Sequence, residues 1–216
     1  MVREEPMLAK PISEFREDID GIYGTFLDAC EGFSRVCLYI GQLEEESKRS
    51  HEELKEKRPE FAHLAFGGVE FSHGRVEPAG SPQRLRHLNL HQVPIETIKA
   101  RNSAGGENFR LIGHVCLVTL FQYWEDRYRL SFAQALTVEK NQIQVPLFGD
   151  IRRYRQAIIH NHGQATAEVE NCSVLRWFTR GERIVLSRDM LEEIIDGILA
   201  MLEGFASNPE QYIKRV

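Results

Sequence analysis

Leu147-Phe-Gly-Asp-Ile-Arg-Arg-Tyr-Arg-Gln-Ala-Ile-Ile-His-Asn-His-Gly163 is the stretch on which the reading of this chain turns. Leu147, Ile151, Tyr154 and Ile158 recur at steps of four, three and four, the stripe of an amphipathic helix. Arg152, Arg153 and Arg155 lie beside that stripe and give the helix a positive, hydrogen-bonding flank. His160, Asn161 and His162 follow, and Gly163 supplies the left-handed position that ends a helix. A cationic face therefore runs into an imidazole at a helix terminus. The pairing suits chemistry on a phosphate, because guanidinium brings a fixed charge and a planar donor fork while imidazole exchanges protons near neutral pH.

Upstream, a helical element is expected from about Glu107 to Leu136. Its first half, Phe109 to Tyr123, is apolar on nearly all faces and predicts a central buried helix. Its second half, Trp124-Glu-Asp-Arg-Tyr-Arg129, turns polar, and it lies near the motif if the two helices pack as an antiparallel pair. Glu125 and Arg129 are spaced for an i,i+4 ion pair, and Trp124 and Tyr128 are expected in the core. Residues 134–144 have the polar composition of a connection. Downstream, Cys172–Phe178 and Arg183–Leu186 flank Thr179-Arg-Gly-Glu182, a hairpin signal. Ser187 caps a last helix with Asp189 and Glu192 in its first turn, striped by Met190, Ile194, Ile198, Met201 and Phe205 and stopped at Ser207-Asn-Pro209.

The N-terminal half is organised differently. Phe15, Ile19, Ile22, Phe26, Cys30, Phe33, Cys37 and Ile40 keep a helical stripe over residues 13–58, read as one long helix or two with Ser13 as N-cap. After Leu43 the charges alternate, as on a solvated helix laced with i,i+4 pairs, until Pro59 stops it; a protruding arm that meets a partner is the other reading. Residues 59–108 are broken by glycine and proline at Gly67, Gly68, Gly74, Pro78, Gly80, Pro82 and Pro94. Val69–Val76 reads as a short hairpin around His73-Gly74, and Leu85–Val93 as one strand. No second core is evident there. The expected division is 1–106, a long helix with an irregular insertion, and 107–216, a helical core carrying the motif.

Arg155, followed after four intervening residues by His160, resembles the Arg-x(4–6)-His signature of HEPN-domain proteins (higher eukaryotes and prokaryotes nucleotide-binding). The same spacing occurs at Arg58/His63 and Arg86/His91, but only Arg155/His160 sits on a well-patterned helix with a stop after it. The order of a long apolar helix, the motif helix, a hairpin and a final helix also resembles the family, over roughly residues 107–206. The resemblance implies a mainly α fold, an antiparallel helical bundle with small β-hairpin additions. It implies a homodimer, no cofactor and no metal, and in many members a metal-independent endoribonuclease. Such an enzyme cleaves RNA through attack of the 2′-OH, leaving a 2′,3′-cyclic phosphate, in some cases as the toxin of a toxin–antitoxin or phage-defence system with an antitoxin partner. Arg155 and His160 are then catalytic. Gln156, Asn161 and Arg152 would hold substrate, and Glu125, Asp126 or Arg129 would orient the pair. The position after the arginine is often Asn in the family and is Gln156 here. A non-catalytic module that binds nucleotide, RNA or a protein partner is the alternative function.

Helical geometry constrains that picture. Five residues along an ideal helix leave Arg155 and His160 pointing about 140° apart. They converge on one phosphate only if the helix unwinds or two copies meet. Structural readings stand beside the catalytic one: Arg155 as a surface arginine paired with Asp150 or a neighbour, and His160 as a helix-terminal histidine favoured by the macrodipole. Histidines at i,i+2 diverge on a helix, so His160 and His162 make a poor metal pair.

Composition sets the frame. With 216 residues, 42% hydrophobic and 27% charged, the chain reads as an ordinary globular protein able to bury a core. A net charge of −5 excludes a global basic footprint, so any RNA contact must come from a local patch. Cys30, Cys37, Cys116 and Cys172 form no CxxC pair, which suggests a reducing, cytoplasmic setting. The charged start Met1-Val-Arg-Glu-Glu-Pro lacks a signal-peptide pattern, and the longest near-apolar run, Leu111–Phe121, is too short to span a bilayer.

Overall fold

The motif stretch does fold as a helix, within a mainly helical protein. The computed structural model describes residues 7–61, 63, 70–78 and 85–214. The elements in order are α1 (Ala9–Lys57), β1 (Glu70–Pro78), β2 (Leu85–Pro94), α2 (Ile95–Asn102), α3 (Glu107–Tyr123), α4 (Arg129–Ala135), α5 (Pro146–His160), α6 (Ala167–Glu170) and α7 (Arg188–Ser207). The chain divides into two compact units: the described residues of Met1–Ala29 with Arg110–Val216, and those of Cys30–Phe109. The expected boundary after residue 106 lies three residues from the second division; the first, at Ala29/Cys30, has no counterpart in the sequence reading.

α1 is one helix that begins four residues before the expected cap Ser13. Pro11 is tolerated there because the first-turn amides have no helical acceptor to lose. Its stripe is real: Phe15, Ile19, Phe26 and Ile40 are buried. Its charged end carries pairs such as Lys48–Glu44 at 2.7 Å and Lys57–Glu53 at 3.5 Å, and stops before Pro59.

In the larger unit, aromatic side chains form the centre. Phe148 stacks on Trp124 at 4.3 Å, Phe15 on Tyr128 at 4.2 Å, Phe132 on Phe205 at 4.4 Å and Phe205 on Tyr212 at 4.3 Å. Trp124 and Tyr128 are core residues, as expected. The chain from Glu107 to Ala135 is continuous but changes pitch, with a π turn over Trp124–Tyr128 between α3 and α4. Contrary to expectation, α3 is not buried all round: Cys116, Leu117 and Leu120 face inward, while Leu111 and Val115 are half exposed on the other side. α7 follows its stripe, and the Ser187 hydroxyl accepts from the Met190 amide at 3.2 Å.

Three other readings are corrected. Cys172–Phe178 and Arg183–Leu186 do not form a hairpin. The turn exists, with Glu182 N donating to Thr179 O at 3.1 Å, but residues 181–184 pair with the segment after α5: Ala165 N to Glu182 O at 2.8 Å and Ile184 N to Gly163 O at 2.8 Å. Nor is there a hairpin around His73-Gly74. β1 runs through both residues and pairs antiparallel with β2 from Glu70↔Pro94 to Pro78↔Leu85, with an irregularity between His73 and Gly74 where a residue without a side chain accommodates a bulge. Val69 and the Gly67, Gly68, Gly80 and Pro82 interruptions lie outside the described residues. Finally, the smaller unit has a core of its own, in which Ile40, Ile95 and Ile98 pack with Leu43 and Val93. Within that unit Lys48 and Lys99 both bond the Glu44 carboxyl and hold it down at about 2, against the opposing effect of desolvation.

Candidate functional site

α5 is built around the apolar stripe that its sequence predicted. Leu147, Phe148, Ile151, Tyr154 and Ala157 are buried, and Pro146 opens the helix at a position that needs no amide donor. Tyr154 donates from its hydroxyl to Leu175 O at 3.0 Å, and burial pushes that hydroxyl up to about 12. The Cys172 thiol is also pushed up to about 12 by burial, with the Asp150 carboxylate adding to it; such a thiol is inert. The helix ends as expected on Gly163. Asn161 N and Gly163 N both donate to Ala157 O, at 3.0 and 3.1 Å, with His162 at φ 53° and Gly163 at φ 74°.

A buried histidine secures this stop. A Cβ on Gly163 would meet His114 Cε1 at 2.8 Å. His114 Nδ1 lies 3.2 Å from an Arg110 guanidinium nitrogen and Nε2 2.8 Å from Ile184 O. Guanidinium only donates and a carbonyl only accepts, so Nδ1 accepts, Nε2 carries the proton and the ring is neutral. α3 and α5 thus run antiparallel: Trp124 meets Phe148, Phe121 meets Arg155, and His114 meets Gly163.

That arrangement brings the polar end of the upstream element against the cationic flank of α5. Between them opens a cavity of about 950 Å³. Arg152, Arg155 and Gln156 line it from α5, and Glu125, Asp126 and Arg129 from the π turn and the start of α4. Six of the eight residues singled out in the sequence therefore meet in one place. His160 and Asn161 do not line it. His160 is exposed at the end of α5, making no hydrogen bond to another described residue, and the Asn161 amide donates to Gln164 O at 2.8 Å. The angular offset between positions 155 and 160 persists because the helix stays regular to its last residue.

The cavity's charges sort into committed and uncommitted. Arg129 bonds Glu125 at 3.0 Å and Ile143 O at 3.1 Å, and Lys140 reaches the same carboxylate at 2.9 Å. Desolvation pushes the Glu125 carboxyl upward, but its bonds to Lys140 and Arg129 win and hold it below the usual carboxylate range. Gln122 bonds Asp126. Arg153 is paired with Asp150 at 2.8 Å, so Asp150 belongs to Arg153 and not to Arg155. Three residues separate Asp150 from Arg153, which puts them on one side of the helix, whereas five turn Arg155 away. Arg152, Arg155 and Lys214 form no ion pair with another described residue. The Arg155 guanidinium lies over the Phe121 ring, 5.4 Å from its centroid, and its Nε is buried without a hydrogen-bond partner.

Several lining groups escaped the sequence reading. Lys214, Gln211 and Tyr212 arrive on a C-terminal segment held to 142–144 by Gln144 N to Tyr212 O and Lys214 N to Gln142 O, both at 2.8 Å. No local pattern signals so distant a pairing. Ser173 is carried in by the loop after α6. Asp150 was visible within the motif itself, where a carboxylate on the apolar side of a helix calls for a partner. Among the described residues, no three or more His, Cys, Asp or Glu side chains are grouped so as to hold a metal ion, and no helix is long and apolar enough to cross a membrane. No protein-family model matches this sequence, and no match is found among curated proteins or among solved structures.

Proposed function

We propose that this chain is an RNA-binding protein of HEPN-like type, in which Arg155, with Arg152 and Lys214, takes backbone phosphates entering the cavity. The observation that carries this reading is the state of Arg155: a permanent cation on the cavity wall whose Nε is buried with no acceptor. Buried donors are normally paired, and leaving one unmet costs about 1–3 kcal/mol. A phosphate oxygen bonded to the terminal nitrogens of the guanidinium fork offsets that cost with a strong charge-assisted bond. The side-chain amides of Gln122, Gln144, Gln156 and Gln211 on the surrounding walls provide donors and acceptors for base edges.

A second reading, metal-independent RNA cleavage, is favoured by one observation. His160 ends the same helix, exposed and uncommitted, as a proton-transfer group must be. It does not line the cavity, so this reading needs the homodimer that the resemblance implies. His160 of one copy would then act on RNA held by Arg155 of the other, taking the 2′-OH proton as that oxygen bonds to phosphorus and the P–O5′ bond breaks, and returning the proton to the departing oxygen, so that a 2′,3′-cyclic phosphate and a 5′-hydroxyl form.

The test is equilibrium binding of a short fluorescein-labelled oligouridylate, with cleavage followed in EDTA. Arg155→Gln is expected to weaken binding about 10- to 100-fold, the worth of one charge-assisted hydrogen bond. Unchanged affinity in that variant overturns the binding reading. Cleavage by the wild type in EDTA that vanishes in His160→Ala, with binding retained, establishes the nuclease. Absence of cleavage by the wild type leaves the binding function alone.

A further inference from the structure

We infer that Asp150 sets the number of cations the cavity offers to RNA, by neutralising Arg153 while fixing the backbone that carries Ser173 into the cavity wall. The inference rests on the RNA-binding reading above. Asp150 is fully buried, with 0% of its surface exposed, yet it lies one helical turn from a cavity lined by arginines. One carboxylate oxygen accepts from Arg153 at 2.8 Å; the other accepts from Val174 N at 2.6 Å and Leu175 N at 3.0 Å. A buried charge is tolerated when it is paired and hydrogen-bonded on this scale.

The consequence for the cavity is selective. Arg152, Arg153 and Arg155 all line it, but only the middle one has a carboxylate at i−3. Arg153 therefore stands in the wall as half of a neutral pair, and Arg152, Arg155 and Lys214 are left to meet phosphate. Glu125 does the same to Arg129 from the opposite wall, but from a partly exposed position where solvent screens the pair. Asp150 is the buried, fixed member. Taking away its charge while keeping its shape adds a fourth uncommitted cation.

The experiment measures binding of the labelled oligouridylate across a range of salt concentrations for the wild type, Arg153→Gln, Asp150→Asn and the double variant, each checked for folding by thermal melt. Arg155→Gln serves as reference. Arg153→Gln, which leaves the Asp150 carboxylate unpaired beside the cavity, is expected to bind more weakly than the wild type but by less than Arg155→Gln, with the salt slope unchanged because no phosphate contact is lost. Asp150→Asn, which can still accept from the Val174 and Leu175 amides, is expected to bind about fivefold tighter at roughly 0.1 M salt, with a log–log slope steeper by ~0.7, the release of one counterion from a single strand. The double variant returns to wild type. The inference is overturned if Arg153→Gln weakens binding as much as Arg155→Gln. It is also overturned if Asp150→Asn binds more weakly than wild type, or if the double variant does not revert. Should Asp150→Asn fail to fold, the double variant, which removes both charges of the pair, decides alone: wild-type binding supports the inference and a loss as large as that of Arg155→Gln overturns it. A wild-type protein that binds no RNA overturns the reading beneath it, and is recognised before any variant is compared.

Discussion

Gly163 fixes where the motif helix stops, and both its conformation and its surroundings require glycine. Its φ of 74° disfavours any side chain, and a Cβ would press on the His114 ring at 2.8 Å. Gly163→Ala is expected to destabilise the protein by about 1–2 kcal/mol from the backbone alone, with more from the clash, read as a lowered Tm. Tyr154 gives a pH signature. Its hydroxyl is raised by burial to about 12, above the ordinary value near 10. A group whose pKa is raised on folding contributes its full stability below the unfolded value and loses it as pH climbs through the folded one. Stability should therefore fall between pH 10 and about 12 by on the order of 2 kcal/mol from this group, and Tyr154→Phe should flatten that limb of a denaturation-versus-pH curve. At this scale much was legible. Arg152 and Arg155 could be placed on the polar flank of the helix because a 3.6-residue period fixes which residues leave the apolar stripe, whereas Gln156 was named from the family resemblance. The partner of Arg155 was left open between Asp150 and a neighbour, and angular position decides it: Asp150 faces Arg153 three residues on, not Arg155 five residues on.

Among the elements, α1 shows what hydrophobic periodicity reads well and what it cannot. Its stripe and solvated end follow from sequence, but its start lies four residues before Ser13, since a proline is tolerated in the first turn and a polar residue inside the helix mimics a cap. Gly32 lies within this helix, and a Cβ there would meet nothing within 4 Å. Gly32→Ala is expected to stabilise the protein by about 0.5–1 kcal/mol, measured by urea denaturation; a loss of stability would mean that helix propensity does not govern this position. The turn at Thr179–Glu182 was also legible, but not the partner of its arms. Hairpin signals are local, whereas the amides and carbonyls of 181–184 find their partners beside Gly163. The π turn at Trp124–Tyr128 left no sequence signal, although it places Glu125 and Asp126 at the cavity. Trp124, stacked on Phe148 at the base of that cavity, should cost about 3–5 kcal/mol when replaced by alanine and blur the site with it, a loss detectable as a lower Tm and weaker ligand binding.

For the whole molecule, net charge and local charge point in opposite directions. A chain at −5 gathers five cations around one cavity and leaves three of them, Arg152, Arg155 and Lys214, without a carboxylate partner among the described residues. The sequence showed the arginines but not Lys214, which depends on a chain reversal that no short pattern encodes. Binding that depends on these cations must weaken with salt, and must do so through Arg155. The direct measurement is the slope of log K against log salt for a short oligouridylate, for the wild type and for Arg155→Gln. Phosphate contact through Arg155 predicts a negative wild-type slope that becomes shallower by ~0.7 in the variant, the loss of one phosphate contact to a single strand. A slope that is the same in both proteins would contradict it.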